Sequence, residues 1–316
     1  MQSLALVLFV AAELCYYLLI AQTGIVEYFL SDLSIIIYLP IGGIIGSLLS
    51  SYIQTSNKIK IFGFLFVQLI ISFFYPNLSS LMLFILGVSV GALAPLLINE
   101  LKKGSNIELG FGLAIAYVVG TYLFNFDISL RGNIAISLTL VATISLFFIE
   151  NNKSKVISSS NFTLVSMVSW IFIDASLFET LSRDENISIW KDGYTFEIIF
   201  FHLIGIVLAF TLKLQKNQKE FLIIILFTLS YFLYFLNEAL LLSIIYPLVI
   251  SYYNVMILQT LILKDLKTIG IYMIFVGWIA SGAGLFISLE HMLLFVPIVI
   301  IIFIIITVKH TFSGSK

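Results

Sequence analysis

Residues 4–21 read LALVLFVAAELCYYLLIA, and this stretch decides the fold class. It is predominantly apolar, and its length is close to the roughly 20 residues that an α-helix needs to cross a bilayer. It is too long for the apolar core of a removable signal peptide, and no basic segment precedes it. We therefore predict that it is a membrane helix with one carboxylic acid, Glu13, near its middle.

The rest of the chain has the same character: 60% of its 316 residues are hydrophobic, 10% are charged, and the mean hydropathy is +1.12. A soluble domain carries about 25% charged residues. This composition excludes a soluble globular protein, a disordered chain and a nucleic-acid binder, and it indicates an all-α, multi-pass membrane protein. The one cysteine, Cys15, excludes a disulfide framework and a cysteine metal cluster.

Lysines divide the chain into six long apolar stretches, each interrupted near its middle by polar, Gly or Pro residues. This pattern predicts six helical hairpins, and hence about twelve membrane helices. The predicted hairpins span residues 2–53, 59–101, 107–148, 162–212, 221–263 and 269–308. The polar segment 151–160 predicts a cytoplasmic linker between two six-helix halves, residues 1–150 and 161–316.

The positive charges predict the orientation of these hairpins. All but three of the 16 Lys and Arg residues lie at the ends of hairpins, the exceptions being Arg131, Arg183 and Lys191. Because Lys and Arg accumulate in cytoplasmic loops, both termini are predicted to be cytoplasmic and the hairpin turns to be outside. Asn77 and Asn186 begin N-x-S/T triplets in predicted outer turns, so both are candidate glycosylation sites.

Two carboxylic acids lie near the middle of corresponding predicted helices, Glu13 in the first and Asp174 in the seventh. A charged carboxylate that faces lipid costs at least about 2.5–3.5 kcal/mol, so both should face the interior. Tyr17 and Trp170 lie four residues from them and can share their helix faces. The Trp170 indole is expected to donate to Asp174. These side chains are candidates for binding a solute, a proton or a cation, and the structural alternative is a pair of protonated, hydrogen-bonded acids.

His202 is the histidine predicted to lie at mid-depth, and it joins the candidate site as a candidate proton relay, metal ligand or haem ligand. A hydrogen-bonded interior histidine is the simpler interpretation. A bis-histidine haem needs two histidines at compatible depths, and His291 and His310 lie near the ends of the last predicted helix. We therefore predict no intrinsic haem or other cofactor and no metal. Without a phosphate-binding glycine loop or a long loop, the sequence also argues against an enzyme.

Six plus six helices with cytoplasmic ends and a basic central loop resemble the major facilitator superfamily of secondary transporters. The residues that resemble its motifs are Gly46, Lys58, Lys60, Gly110, Gly112 and Gly120. The resemblance implies a proton- or cation-coupled transporter of a small solute, in which Glu13 and Asp174 would be the coupling carboxylates of a central site. No arginine is predicted inside a membrane helix, which disfavours an anionic solute.

The abundance of Ile, Leu, Ser, Tyr and Phe, with Lys as the main cation, is also similar to membrane proteins of thermoacidophilic archaea. Among these it resembles the very hydrophobic membrane component of the archaeal cytochrome b558/566. This second resemblance implies a non-catalytic subunit of the cell membrane that anchors an external b-type cytochrome in a respiratory electron-transfer complex. The two interpretations imply different partners. The first implies the bilayer with a small solute or proton, and the second implies a haem-protein subunit.

Overall fold

The structure is a computed structural model that describes residues 1–30, 33–150, 161–184 and 187–313. Throughout these residues the chain forms helices and turns, with no strand. Nine of the helices found there are apolar and at least 18 residues long, which is enough to cross a membrane. The prediction of an all-helical, multi-pass membrane protein is confirmed. The predicted linker 151–160 and the candidate glycosylation site Asn186 lie outside the described residues.

The helices follow one another with short connections. The first six are α1 Gln2–Tyr28, α2 Ser34–Tyr52, α3 Asn57–Ser72, α4 Ser80–Leu101, α5 Asn106–Phe124 and α6 Ile128–Phe147. The next six are α7 Leu164–Leu181, α8 Thr195–Thr211, α9 Lys216–Phe235, α10 Ala239–Leu261, α11 Leu266–Leu289 and α12 Val296–Ser313. They form two compact units, which we call unit 1 (Met1–Ser159 and Leu261–Trp278) and unit 2 (Ser160–Thr260 and Ile279–Lys316). The first part of α11 therefore belongs to unit 1 and the rest to unit 2.

Several of these helices are capped at their N-terminal ends by a side chain that accepts a hydrogen bond from a backbone N–H group of the first turn. Ser56, Ser79, Ser105, Thr163 and Asp265 act in this way at α3, α4, α5, α7 and α11. The tight turn between α9 and α10 contains Asn237 at φ 57°, a left-handed conformation that asparagine tolerates better than most residues. The boundaries of the helices thus follow from local sequence.

Two lysines of unit 1 bind carbonyl groups at the C-terminal ends of helices. Lys58 Nζ donates to the carbonyl oxygen of Phe147 at the end of α6, at 3.1 Å. Lys60 Nζ donates to the carbonyl oxygen of Ser50 in the last turn of α2, at 2.9 Å. The last carbonyls of a helix have no partner within it and carry partial negative charge, so a cation there is stabilising. These lysines therefore contribute to the folded structure as well as to the charge pattern.

Glycines bring α2 and α4 of unit 1 into direct backbone contact. A Cβ atom at Gly46 of α2 would overlap the carbonyl oxygen of Val88, and one at Gly91 of α4 would overlap that of Gly43. Gly42 has the same close approach to the backbone of α4. Small residues at helix interfaces in membranes allow such an approach, and here they leave no room for even a methyl group.

The helix pairs of unit 1 recur in unit 2. The pairs α1 with α5, α2 with α4 and α3 with α6 correspond to α7 with α11, α8 with α10 and α9 with α12. A Cβ atom at Gly205 of α8 would overlap the carbonyl oxygen of Leu248 of α10, and one at Gly284 of α11 would lie 2.6 Å from Ala175 Cβ of α7. Gly284 thus permits close packing of α11 on α7, as Gly205 does for α8 on α10.

Arg131 is buried in unit 1, although its polar surroundings in the sequence predict an outer turn. Its Nη1 atom donates to the carbonyl of Leu19 at 3.3 Å and to the hydroxyl of Thr23 at 3.1 Å, and Nη2 donates to the carbonyl of Phe124 at 2.8 Å. Leu19 and Thr23 belong to a wide, π-helical segment of α1, Tyr17–Gly24. Arg131 is therefore a buried cation in the first α-helical turn of α6, held against the wide segment of α1 and the end of α5.

Candidate functional site

Glu13 lies on α1 inside unit 1, with 7% of its surface exposed. Nε2 of Gln68, on α3, donates to Glu13 Oε1 at 3.2 Å and to Thr139 Oγ1, on α6, at 3.1 Å. Thr139 donates in turn to the carbonyl of Ala135 at 2.8 Å. This chain of hydrogen bonds joins three helices around the carboxyl group through uncharged side chains.

The tyrosines that follow Glu13 in the sequence contact other helices of unit 1. The Tyr16 hydroxyl lies 2.9 Å from Ser72 Oγ of α3. The Tyr17 hydroxyl donates to the carbonyl of Gly277 on α11 at 3.3 Å, and its ring meets that of Trp278 edge to face. Gly277 and Trp278 lie in the second π-helical segment, Ile274–Ala280. Tyr17, the first residue of the wide segment of α1, therefore contacts the second wide segment at two residues that belong to unit 1.

Asp174 lies half-buried on α7 in unit 2. The hydroxyl groups of two tyrosines on α10 donate to its two oxygens, Tyr246 to Oδ1 at 2.8 Å and Tyr253 to Oδ2 at 2.6 Å. The two tyrosines are seven residues apart, so they lie on one face of α10. Tyr231 of α9 donates to the adjacent carbonyl of Ile173 at 2.7 Å. Three phenol hydroxyls therefore meet at this part of α7.

Neither Glu13 nor Asp174 forms an ion pair with a side chain in the part of the chain that the structure describes. The ion pairs found there involve other acids, namely Glu100, Glu27 and Glu179. A carboxylate in a membrane interior is stable in its charged form only when a cation lies close to it. Both acids are therefore suited to taking up a proton or another cation.

The predicted hydrogen bond from Trp170 to Asp174 is wrong. The Trp170 Nε1 atom is buried without a hydrogen-bond partner among the residues described, and its ring packs against Phe162 at a centroid separation of 5.0 Å. Long side chains on an α-helix lean towards its N-terminus. Phe162 lies on that side of Trp170, whereas Asp174 lies on the other.

Sequence reasoning missed the two tyrosines that hydrogen-bond to Asp174. Tyr246 and Tyr253 lie more than 70 residues after it, and no local spacing links them to α7. The available signal is their seven-residue separation, which marks one face of a helix that could meet a polar partner.

His202 is buried on α8 in unit 2, with Nδ1 2.6 Å from the hydroxyl oxygen of Ser251 on α10. The Ser251 hydroxyl is therefore a structural hydrogen-bond partner for the imidazole, between two packed helices. Within the ranges that the structure describes, no group of three or more His, Cys, Asp or Glu side chains could hold a metal ion. Asn77, the described glycosylation candidate, is exposed before α4, and its Oδ1 accepts the Tyr28 hydroxyl at 2.7 Å.

The candidate site residues thus include one carboxyl group in each unit, Glu13 in unit 1 and Asp174 in unit 2. Glu13 has an amide donor and a nearby threonine, whereas Asp174 has two phenol donors. In both arrangements the side chains that donate hydrogen bonds to the carboxyl group are uncharged. No protein-family model matches this chain, and no curated protein matches it either.

Proposed function

We propose that the protein is a proton- or cation-coupled secondary transporter of a small non-anionic solute, with Glu13 and Asp174 as its coupling carboxylates. The observation that supports this most is that each acid lies inside an apolar helical unit with uncharged hydrogen-bond partners and no ion pair within the described residues. Ionisable groups at such positions are typical of ion and proton pathways.

The proposal includes twelve membrane spans in the cell membrane, with both ends of the chain in the cytoplasm. Helices α3 and α8 have 16 and 17 residues and are the shortest. Helix α3 nevertheless packs along α4 and α6, and α8 packs on α10 through Gly205. The recurrence of the same helix pairs in both units supports a duplicated six-helix arrangement, which is common among secondary transporters.

A cysteine at Lys191 tests the orientation. Ser188, in the turn between α7 and α8, is 2% exposed, whereas Lys191 in the same turn is exposed. In a Cys15→Ser background, we expect Lys191→Cys to react with a membrane-impermeant maleimide added to intact cells. Lys267→Cys, at an exposed position in the first turn of α11 on the predicted cytoplasmic side, should react only after the membrane is opened. The reverse labelling pattern would contradict the orientation.

Neutral replacements of the two acids test the coupling. Glu13→Gln and Asp174→Asn keep the size and hydrogen bonding of each side chain but remove its titration. We expect both variants to fold and to lose nearly all uptake driven by a pH gradient, measured in proteoliposomes with a panel of neutral and cationic solutes. The matched control is Glu290→Gln, which changes an exposed acid after α11 and should leave uptake at the wild-type rate.

Two results would count against this function. Wild-type rates in both variants would show that neither acid couples transport. A wild-type protein that moves no solute and co-purifies with a haem protein would instead support the alternative, a non-catalytic subunit that anchors a cytochrome.

A further inference from the structure

We propose that Glu13 exchanges a proton, rather than a metal cation, with the outer side of the membrane along a polar route between α1, α3 and α6 of unit 1. This inference rests on the proposed transport function and on the predicted orientation. It goes beyond them because it names the coupling ion at Glu13 and the side chains that carry it. These side chains are Tyr16, Ser72 and Tyr75.

Buried polar side chains follow one another on the outer side of Glu13, towards the turns that the lysine pattern predicts to be outside. Gln68, Ser72 and Tyr75 are spaced so that they share one face of α3 and of the turn that continues it. Each of the three is at most 8% exposed. Tyr16 adds a buried hydroxyl from α1.

The inner side of Glu13 has the opposite character. The buried residues that come before Glu13 on α1 and before Gln68 on α3 are apolar over about two helical turns. They include Phe9, Val10, Ile61 and Leu65, all fully buried. A charged or hydrogen-bonded species therefore finds polar partners on the outer side of the acid and apolar packing on the inner side, so Glu13 communicates with the outside.

The hydroxyl groups of Tyr16 and Ser72 form the middle of the route. Tyr16 Oη lies 2.9 Å from Ser72 Oγ, and Ser72 donates to the backbone carbonyl of Gln68 at 2.7 Å. Because the hydrogen of Ser72 is used in this way, the Tyr16 hydroxyl donates to Ser72. Tyr16 lies three residues after Glu13, so the two are neighbours on the surface of α1. The hydroxyl pair thus begins one helical turn from the acid.

Two buried oxygen atoms on either side of this pair have no hydrogen-bond partner among the described residues. They are Gln68 Oε1, one turn before Ser72 on α3, and Tyr75 Oη, one turn after it. Buried polar atoms are costly unless they are paired, and an ordered water molecule is the usual partner where no protein group serves. A water at each oxygen also bridges one helical turn. The route then runs inwards to Glu13, which accepts from Gln68 at 3.2 Å, and outwards to Tyr75.

The hydroxyl of Tyr75 connects the route to the outer surface. A Cβ atom at Gly24 would lie 2.5 Å from Tyr75 Oη and 2.6 Å from the carbonyl oxygen of Leu19, so both oxygens lie beside this glycine. Arg131 donates to the same carbonyl and lies 3.6 Å from Glu27, whose side chain is 28% exposed. The Glu27 carboxylate offsets the positive charge of Arg131, which alone would repel an entering proton.

This route suits a proton better than a metal cation. At each hydroxyl one O–H bond forms as another breaks, so Tyr75, Ser72 and Tyr16 are unchanged after the proton has passed. The Glu13 carboxylate becomes a carboxylic acid. A metal ion would instead have to move past these buried side chains. Throughout the described ranges, no three His, Cys, Asp or Glu side chains come together as a possible metal site.

Hydrogen–deuterium exchange of the Glu13 carboxyl group tests the route. The full-length protein is placed in lipid nanodiscs and transferred to deuterated buffer, and infrared spectroscopy follows the carboxylic C=O band that is missing in Glu13→Gln. We expect Tyr75→Phe and Ser72→Ala to slow the exchange at least about tenfold, because each removes a proton-transfer group. The matched control is Tyr252→Phe in unit 2. It removes another buried hydroxyl without a partner among the described residues and should exchange at the wild-type rate.

Three results would overturn the inference. The first is a wild-type exchange rate in the folded Tyr75→Phe or Ser72→Ala variant, and either variant decides the question if the other does not fold. The second is loss of the Glu13 band when sodium or potassium chloride is added at constant pH, because a metal cation would then have displaced the proton. The third is the absence of a band that depends on Glu13 at every pH at which the protein is folded.

The uptake assay separates this inference from the proposed function. Gradient-driven uptake by a protein whose Glu13 exchange is insensitive to Tyr75 and Ser72 would leave transport standing and remove the route. Conversely, slow exchange in the two variants of a protein that shows no gradient-driven uptake would support the route and contradict transport.

Discussion

Alanine at Gly46 should lower the thermal unfolding temperature of the protein strongly. Its new methyl group would overlap the carbonyl oxygen of Val88, and a backbone atom of a packed helix cannot turn aside as a flexible side chain can. Helices α2 and α4 would have to separate along their whole contact. Overpacking of a protein interior costs about 1–3 kcal/mol or more, and a clash with backbone belongs at the upper end of that range.

Gly63 supplies the matched control for this substitution. It lies on α3 at an exposed position, and nothing lies within 4 Å of where its Cβ atom would be. Alanine is the better helix former by about 1 kcal/mol, so Gly63→Ala should leave the unfolding temperature unchanged or raise it. Thermal unfolding of both variants in the same detergent makes the comparison. Equal stability of the two would contradict the backbone contact between α2 and α4.

Leucine at Arg131 should also cause a large loss of stability. The guanidinium group donates to the carbonyl oxygens of Leu19 and Phe124 and to the Thr23 hydroxyl, and it lies 3.6 Å from a carboxylate oxygen of Glu27. A buried acceptor left without a partner costs about 1–3 kcal/mol. The loss of several at once should therefore lower the unfolding temperature strongly, with α1 becoming separated from the end of α5.

Lysine at position 131 separates the contribution of the positive charge to stability from that of the hydrogen-bond geometry. Arg131→Lys keeps the positive charge near Glu27 but has a single ammonium group in place of a planar fork of donors. We expect it to be intermediate between the wild type and Arg131→Leu in thermal unfolding. Should Arg131→Leu unfold at the wild-type temperature, the buried hydrogen bonds of Arg131 would not contribute to stability.

The fold class could be predicted because its signals are local. Apolar runs of helical length separated by lysines indicate a multi-pass helical protein, and turn residues mark where helices end. The polar residues that interrupt the fifth predicted hairpin, residues 221–263, near its middle are Asn237 and Glu238, and the structure ends α9 at Phe235 and begins α10 at Ala239. Such boundaries depend on neighbouring residues alone.

The partners of the candidate site could not be predicted because they depend on which helices pack together. Gln68 reaches Glu13 from α3, and Tyr246 and Tyr253 reach Asp174 from α10, in each case across a large separation in the sequence. Same-helix spacing, which was the available guide, suggested Trp170. Spacing along one helix does not include the direction in which long side chains lean, and that direction decides which neighbour a ring can contact.

Lys58 and Lys60 limit how the chain could be inverted by protein engineering. The orientation of a membrane protein is reversed by moving positive charges to the opposite loops, because those charges govern insertion. In this chain the same ammonium groups close the ends of α6 and α2 by binding the carbonyl oxygens of Phe147 and Ser50. Transplanting them would leave both helix ends open near the bilayer, where unpaired backbone groups are costly. A chain inverted in this way would therefore also be a less stable one, so its insertion and its folding cannot be redesigned independently.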